Sequence, residues 1–306
     1  MKTYLYLIIL VTALFSETRT QVHMGTMVSI SLDENQELFG NGFKIIHEVD
    51  NALTSYKSCG DIYKLNKNHV VQLDPLTYEA LKLSKKYYQQ TYGYFDITIG
   101  SITKGLYHFG EDEEFIPHPK LLKIAHTGFY NLHFSTSTAS TKEGIKVDLG
   151  GMGKGFAVQK ASEYFLDQGV KSAVIAASGD IRCIGKCEVA LQDPFSENTL
   201  FIMKTKKDET GITTSGNYRR YVASKKYNHL INPYFKTSNE KFASVTLISD
   251  RSSADLDAYA TAISVMPSPL AKKFLQSFKI AYIIITVERK MIISKNINEY
   301  IEIIQK

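Results

Sequence analysis

The second half of the chain contains several short apolar segments that are separated by turns rather than by regular helices. The alternating βαβ pattern of a doubly wound parallel sheet is therefore absent. No internal repeat and no linker rich in Pro, Gly or Ser divides the chain. We predict an α+β fold in one compact unit, with mixed, largely antiparallel sheets and packed helices. The expected strands are 173–176, 189–191, 200–203, 245–248 and 280–287.

The first third of the chain carries both strand and helix patterns. Between residues 28 and 32, apolar residues alternate with serines, which predicts a half-buried strand. Apolar residues then recur at three- and four-residue steps over 43–56, which predicts an amphipathic helix ending near Ser58. A second helix is expected after Pro75.

Composition and charge exclude several classes of protein. The chain has 306 residues, of which 44% are hydrophobic and 22% charged, so it is long enough for a large core and does not have the composition of a disordered protein. The net charge of +5 is spread without a basic run, which argues against nucleic-acid binding. Three cysteines are too few for a disulfide scaffold, and no Cys/His cluster has the spacing of a zinc site.

The N-terminus has the pattern of a targeting signal. Lys2 precedes an apolar stretch at 4–15, which is too short to span a hydrocarbon core of ~30 Å and fits a secretory leader. Thr18 and Thr20 are small residues that would allow cleavage before Gln21. We expect residues 1–20 to be a signal peptide or an uncleaved anchor and residues 21–306 to form the exported domain.

A glycine-rich segment at 147–156 precedes a helix expected over 157–167. Glycines let the backbone approach an anion, and a helix N-terminus offers free N–H groups, so the segment suits a pyrophosphate. It matches neither a Walker loop, because Asp148 stands where the first glycine is required, nor the dinucleotide pattern, which is one residue longer. The alternative is a tight strand-to-helix turn with Lys154 in solvent.

Residues 253–262 have helical spacing and carry a candidate cation site. Asp257 and Thr261 are four residues apart and therefore share one helix face. A carboxylate and a hydroxyl are oxygen ligands of the kind Mg²⁺ accepts, with water and substrate phosphate completing its shell. The alternative interpretation is an ordinary buried polar contact.

Two further segments contain candidate functional residues. His229 precedes an apolar pair and an Asn-Pro turn, and its imidazole titrates near neutrality, so it is a candidate general base. The segment 93–98 joins aromatic residues to Asp96 and could form the wall of a ring-binding site. Alternatively, segment 93–98 is an aromatic part of the hydrophobic core.

Taken in order, these segments resemble the FAD:protein FMN transferases, the ApbE family, from Met24 to the C-terminal region. The resemblance rests on short motifs: MGT at Met24, SY at Ser55, FDIT at Phe95, DLGGMGKG at Asp148, TSGNYRRY at Thr214, HLINP at His229 and DAYAT at Asp257.

The resemblance implies a T-fold-like architecture and a transfer reaction. In that family FAD is split at its pyrophosphate, FMN is joined to a Thr or Ser of an acceptor protein, and AMP leaves. The Mg²⁺ ligands would be Gly151, Asp257 and Thr261, and His229 would be catalytic. The positions that correspond to FAD contacts are Met24, Tyr56, Tyr94, Phe95, Asp96, Asp148, Lys154 and Ile231.

The resemblance also implies a bacterial periplasmic protein, tethered to the inner membrane if the leader stays uncleaved, whose acceptor is a subunit of a membrane redox complex. The sequence is also compatible with two alternatives: hydrolysis of FAD to FMN and AMP, and non-catalytic flavin binding. The chain departs from the family pattern at Asn232, where Asp is usual, and at 177–179, where a Gly-Gly pair is usual. Cys183 and Cys187 could form a disulfide or stay free.

Overall fold

A computed structural model describes residues 17–33, 36–111 and 113–305 of the chain. The apolar stretch at 4–15, on which the leader prediction rests, lies outside these residues. The helices are α1 (Gln36–Leu53), α2 (Asp61–Asn68), α3 (Pro75–Gln90), α4 (Gly100–Thr103), α5 (Pro119–Ile124), α6 (Gly153–Asp167), α7 (Ser253–Val265) and α8 (Ser268–Ser277). The strands are β1 (Glu17–His23), β2 (Thr26–Leu32), β3 (Val70–Gln72), β4 (Leu132–Phe134), β5 (Thr138–Thr141), β6 (Ala173–Ala177), β7 (Asp180–Ile184), β8 (Glu188–Gln192), β9 (Thr199–Thr205), β10 (Glu209–Gly216), β11 (Phe242–Ser249), β12 (Ala281–Thr286), β13 (Met291–Ile293) and β14 (Ile301–Gln305).

The strands form three sheets. The largest has eight strands in the order β1-β2-β6-β7-β10-β11-β12-β13, and two three-stranded sheets have the orders β14-β9-β8 and β3-β5-β4. Every pairing between these strands is antiparallel. The predicted α+β class and its antiparallel sheets are confirmed.

The eight-stranded sheet has a hydrophobic core on each face, because successive side chains of a strand point in opposite directions. Ile175 and Leu247 join the core beneath α1, α6 and α7. Their neighbours Val174 and Ile248 join a second core formed with the β14-β9-β8 sheet. The helices that carry the candidate site therefore lie on one face of the sheet.

The predicted elements are present, and their ends differ in places. The strand at 28–32 is part of β2, and α3 begins after Asp74, whose carboxylate accepts a hydrogen bond from the Leu76 amide at 2.8 Å. Helix α1 ends at Leu53 rather than near Ser58. Helix α6 begins at Gly153, so the end of the glycine-rich segment is its first turn.

The start of the described chain is an edge strand. β1 pairs with β2 through a two-residue turn, with Met24 at φ 52° and Gly25 at φ 70°, the conformation that suits a tight hairpin. The cleavage point considered before Gln21 lies inside this strand. Among the residues that the structure describes, no helix is long and apolar enough to cross a membrane.

Cys183 and Cys187 are joined by a disulfide between the end of β7 and the start of β8. Of the two possibilities that the sequence leaves open, the structure has the bonded one. Cys59 is free and exposed.

Candidate active site

The site is built where α6 crosses α7. A Cβ added at Gly155 would lie 2.3 Å from the carbonyl oxygen of Ser253 and 2.6 Å from the Cβ of Asp257, so only glycine allows this approach. At this distance the Gly155 amide donates to Asp257 Oδ2 at 3.0 Å. The glycine-rich segment thus brings the first turn of α6 against the carboxylate of α7.

The three positions considered as cation ligands lie together. Thr261 Oγ1 donates to the Gly151 carbonyl oxygen at 3.2 Å, and Asp257 lies one turn earlier on the same helix. Neighbouring oxygen ligands of octahedral Mg²⁺ are about 2.9 Å apart, so the spacing of these two oxygens fits that ion. No three His, Cys, Asp or Glu side chains of the described residues form a metal cluster.

Lys154 lies between two buried carboxylates. Its ammonium is 3.0 Å from Asp180 Oδ2 and 3.7 Å from Asp257 Oδ2. Burial alone would lower the pKa of Lys154, but the two carboxylates raise it, so this side chain is a cation. Burial, and then the charge of Asp180, raise the pKa of Asp257 above its usual value, although Lys154 opposes the shift.

His229 has one ring nitrogen held by the backbone. The Arg220 carbonyl lies 3.1 Å from His229 Nδ1, and since a carbonyl only accepts, Nδ1 carries the proton of the neutral ring. Nε2 is then the nitrogen that can accept a proton. Burial, and then the guanidinium of Arg220, lower the pKa of His229 to about 4, so the ring is neutral at physiological pH.

Asp148 and Tyr56 are linked through Lys104. Asp148 accepts from the Thr103 hydroxyl at 2.6 Å. Burial would raise the pKa of Asp148, but Lys104 and the hydrogen bonds hold it below its usual value. Lys104 is buried, donates to Tyr56 Oη and lies 3.9 Å from the centre of the Tyr56 ring, which is itself 46% exposed. Tyr56 therefore offers an open aromatic surface held from behind by a cation.

The segment 94–96 divides between surface and core. Tyr94 is half-buried, and its ring centre lies 5.0 Å from that of Tyr234, which is exposed. Phe95 is buried against Tyr87, and Asp96 is buried with its carboxylate accepting from the Thr98 amide and hydroxyl at 2.9 and 2.7 Å. Of these three side chains, only Tyr94 leaves a ring surface open.

The two remaining predicted contacts, Met24 and Ile231, have different surroundings. A Cβ added at Gly153 would lie 3.2 Å from Met24 Cε, so Met24 sits against the start of α6. Ile231 is buried in a small cluster that includes Phe109. Asn232, a departure from the family pattern, donates its side-chain amide to the Val265 carbonyl at 2.8 Å, a bond that an aspartate could not donate.

Three residues of the site were not predicted from the sequence: Asp180, Arg220 and Lys104. The available signal for Asp180 was the departure from the family pattern at 177–179, because Asp180 directly follows that segment. Arg220 lies within the TSGNYRRY motif, but only the fold directs it toward His229. Lys104 has no signal in the sequence, because a buried lysine is recognisable only from its surroundings.

The ApbE family model matches residues 24–284 of the chain. A protein of Buchnera aphidicola (subsp. Schizaphis graminum) described as an FAD:protein FMN transferase is 26% identical over 285 residues, covering 87% of this chain and 79% of that relative. A relative from Klebsiella pneumoniae with the same description is 24% identical, covering 78% of this chain and 79% of its own length.

Solved structures share the fold. The ApbE protein of Thermotoga maritima superimposes with a TM-score of 0.83 at 23% identity, covering 93% of this chain and 98% of that structure. The flavin transferase ApbE of Vibrio cholerae has a TM-score of 0.80 at 22% identity, covering 93% of this chain and 99% of that structure.

Proposed function

This chain belongs to the ApbE family and is an FAD:protein FMN transferase, and we propose that it transfers FMN from FAD to a Thr or Ser hydroxyl of an acceptor protein, with Mg²⁺ as cofactor and AMP as leaving group. The observation that carries the proposal is the convergence of three oxygen donors with a fixed cation. The donors belong to Gly151, Asp257 and Thr261, and the cation is Lys154.

The residues present suit a hard divalent cation. Gly151, Asp257 and Thr261 would hold it through a carbonyl, a carboxylate and a hydroxyl oxygen. When bound, Mg²⁺ would neutralise pyrophosphate charge and favour departure of AMP. Lys154, which stays a cation in its surroundings, would contribute a second positive charge at the same phosphates.

His229 would act as the general base. Its Nε2 takes the proton of the acceptor hydroxyl as the hydroxyl oxygen forms a bond to the phosphorus of the FMN half of FAD. The bond between that phosphorus and the oxygen bridging to the AMP half breaks, and AMP leaves with the bridging oxygen. The proton held on Nδ1 by the Arg220 carbonyl leaves Nε2 free for this step.

Tyr56, Tyr94 and Met24 would bind the ring systems of FAD. Tyr56 has an exposed ring with a cation on its other face, and Tyr94 lies in an aromatic pair. The side chains of Phe95, Asp96 and Ile231, whose positions correspond to family contacts, are buried and would shape the wall from within. The acceptor, a subunit of a membrane redox complex, and export to the periplasm are parts of this proposal.

The test is incubation of the purified protein with FAD, Mg²⁺ and a candidate acceptor from the same organism. In-gel flavin fluorescence and the mass of the acceptor detect transfer, and chromatography detects AMP and free FMN. We expect a labelled acceptor, with AMP released in equal amount, and no label after chelation. His229→Ala should lower the rate by ~10²–10⁴-fold while FAD still binds.

Two outcomes would favour the alternatives. Free FMN and AMP without a labelled acceptor would indicate FAD hydrolysis, with water in place of the protein hydroxyl. FAD binding without any cleavage would indicate a flavin-binding protein.

A further inference from the structure

Asp180 is a buried carboxylate that the proposed reaction does not use. It begins β7, directly after the turn at Ser178 and Gly179, and its exposed fraction is 2%. Arg182, two residues along the strand and so on the same face, donates to the Arg251 carbonyl at 2.8 Å, just before α7. The Asp180 side chain therefore lies between the sheet and the helices that carry the site.

Asp180 is the closer of the two carboxylates around Lys154. The ammonium lies 3.0 Å from Asp180 Oδ2 but 3.7 Å from Asp257 Oδ2, and Asp257 Oδ2 also accepts from the Gly155 amide at 3.0 Å. Asp257 therefore divides its interactions between Lys154 and the Gly155 amide, whereas the nearer carboxylate, Asp180, interacts with Lys154.

A bound cation would change this balance. Asp257 would direct its charge to the metal, and the metal would repel the nearby ammonium of Lys154. Without a second carboxylate, the protein would have no anion that fixes the Lys154 ammonium in place before the phosphates arrive. Asp180 is not among the proposed cation ligands, so its charge stays available to Lys154.

The second oxygen of Asp180 supports a role beyond packing. Among the described residues, Asp180 Oδ1 is buried and has no hydrogen-bond partner. Buried polar atoms are normally satisfied, and native structures keep few exceptions. A carboxylate retained only to fill the core would be expected to have both oxygens paired, so the unpaired oxygen favours a place in the working site.

We infer that Asp180 is a positioning residue that holds the Lys154 ammonium at the pyrophosphate of FAD once Asp257 binds the cation. This inference rests on the proposed function and adds to it a residue that acts through Lys154 alone. Asp180→Asn keeps the side-chain volume and removes the charge. Lys154 would then move toward Asp257, and we expect FAD affinity to fall by about 10–100-fold, the range for loss of a charge-assisted hydrogen bond.

The experiment is a double-mutant cycle on FAD affinity, measured by flavin fluorescence with Mg²⁺ and without acceptor. The variants are Asp180→Asn, Lys154→Met and the double variant. Because Asp180 acts through Lys154, Asp180→Asn should change FAD affinity less than about twofold in the Lys154→Met background. An unchanged affinity for the single variant, or a full further loss in the double variant, would overturn the inference.

Asp61→Asn is the matched control. Asp61 is also buried, accepts from the Asp74 amide at 2.6 Å and lies 3.6 Å from an ammonium, that of Lys64, but it belongs to α2. It should affect stability without changing FAD affinity. An equal loss of FAD affinity in Asp61→Asn would mean that the Asp180 effect is general destabilisation.

A second variant covers the case in which Asp180→Asn does not fold. Asp180→Glu keeps the charge, and because an ammonium is a point charge without fixed geometry, FAD affinity should stay within about threefold of wild type. A large loss in this folded variant would also overturn the inference. Steady-state transfer tests the proposed function separately, since a wild-type protein that binds FAD but transfers no FMN would refute the function and leave the binding cycle interpretable.

Discussion

Gly155→Ala should separate the two helices on which the site depends. The added Cβ would meet the Ser253 carbonyl oxygen at 2.3 Å and Asp257 Cβ at 2.6 Å. Neither atom is the end of a flexible side chain, so no rotamer change relieves the contacts. We expect α6 to move away from α7 and the bond from the Gly155 amide to Asp257 Oδ2 to lengthen.

The expected free-energy change combines three effects. Alanine in a helix gains about 1 kcal/mol over glycine. Overpacking of a tight contact costs about 1–3 kcal/mol. Loss of a hydrogen bond to a charged group costs about 1.5–3 kcal/mol more. The free energy of unfolding of Gly155→Ala should therefore fall by about 1.5–5 kcal/mol.

Gly40→Ala is the control, because it makes the same chemical change within helix α1. Gly40 is exposed, and no heavy atom lies within 4 Å of its added Cβ. This variant should be more stable than wild type by about 0.5–1 kcal/mol.

Urea unfolding of both variants is the assay, with the half-saturating Mg²⁺ concentration of FMN transfer as a second readout. Gly155→Ala should need more Mg²⁺, because Gly151, just before α6, is displaced from Asp257 and Thr261 of α7, and Gly40→Ala should need the same amount as wild type. A Gly155→Ala variant as stable as wild type, or a change of stability in the same direction in both variants, would refute the predicted clash between α6 and α7.

Two further predictions concern charge. Because burial and Asp180 raise the pKa of Asp257, protons compete with the cation for its carboxylate, and the half-saturating Mg²⁺ concentration should rise as pH falls below 7. Asp257→Asn should abolish transfer at any pH. Transfer by this variant at high Mg²⁺ would contradict the assignment of Asp257 as a cation ligand. His229 must be neutral to accept a proton, and its pKa is about 4, so its contribution to transfer should persist on acidification and be lost only around pH 4. Arg220→Gln removes a cation that lowers this pKa and should move the acidic limb of the kcat–pH profile to higher pH. An unmoved limb would exclude His229 as the titrating base.

The sequence predicted the elements whose pattern is local. β2 follows from its alternation of apolar residues and serines, and α3 from its proline and apolar spacing, because burial of one face is decided by side chains close in sequence. Helix α1 ends at Leu53, earlier than its apolar pattern suggests, since Tyr56 turns away to meet Lys104 and the Phe109 carbonyl. That contact joins distant segments, which a periodicity argument does not include.

The same distinction holds in the candidate site. The pairing of Asp257 with Thr261 on one helix face could be predicted because helix geometry fixes it. The partners of Lys154 could not, because Asp180 comes from a strand and Asp257 from a helix far along the chain. Whether Lys154 contacts a ligand or another side chain depends on which carboxylates the fold places beside it.

The charges that the fold collects suggest why the cation and FAD should bind together. Three cationic and three anionic side chains interact electrostatically around the site: Lys104, Lys154, Arg220, Asp148, Asp180 and Asp257. Their formal charges cancel, while Mg²⁺ and a pyrophosphate bring charges of opposite sign. Either one alone would leave an unbalanced charge at the site, and the second would compensate it. Binding of each should therefore strengthen binding of the other by the same factor, as linkage requires.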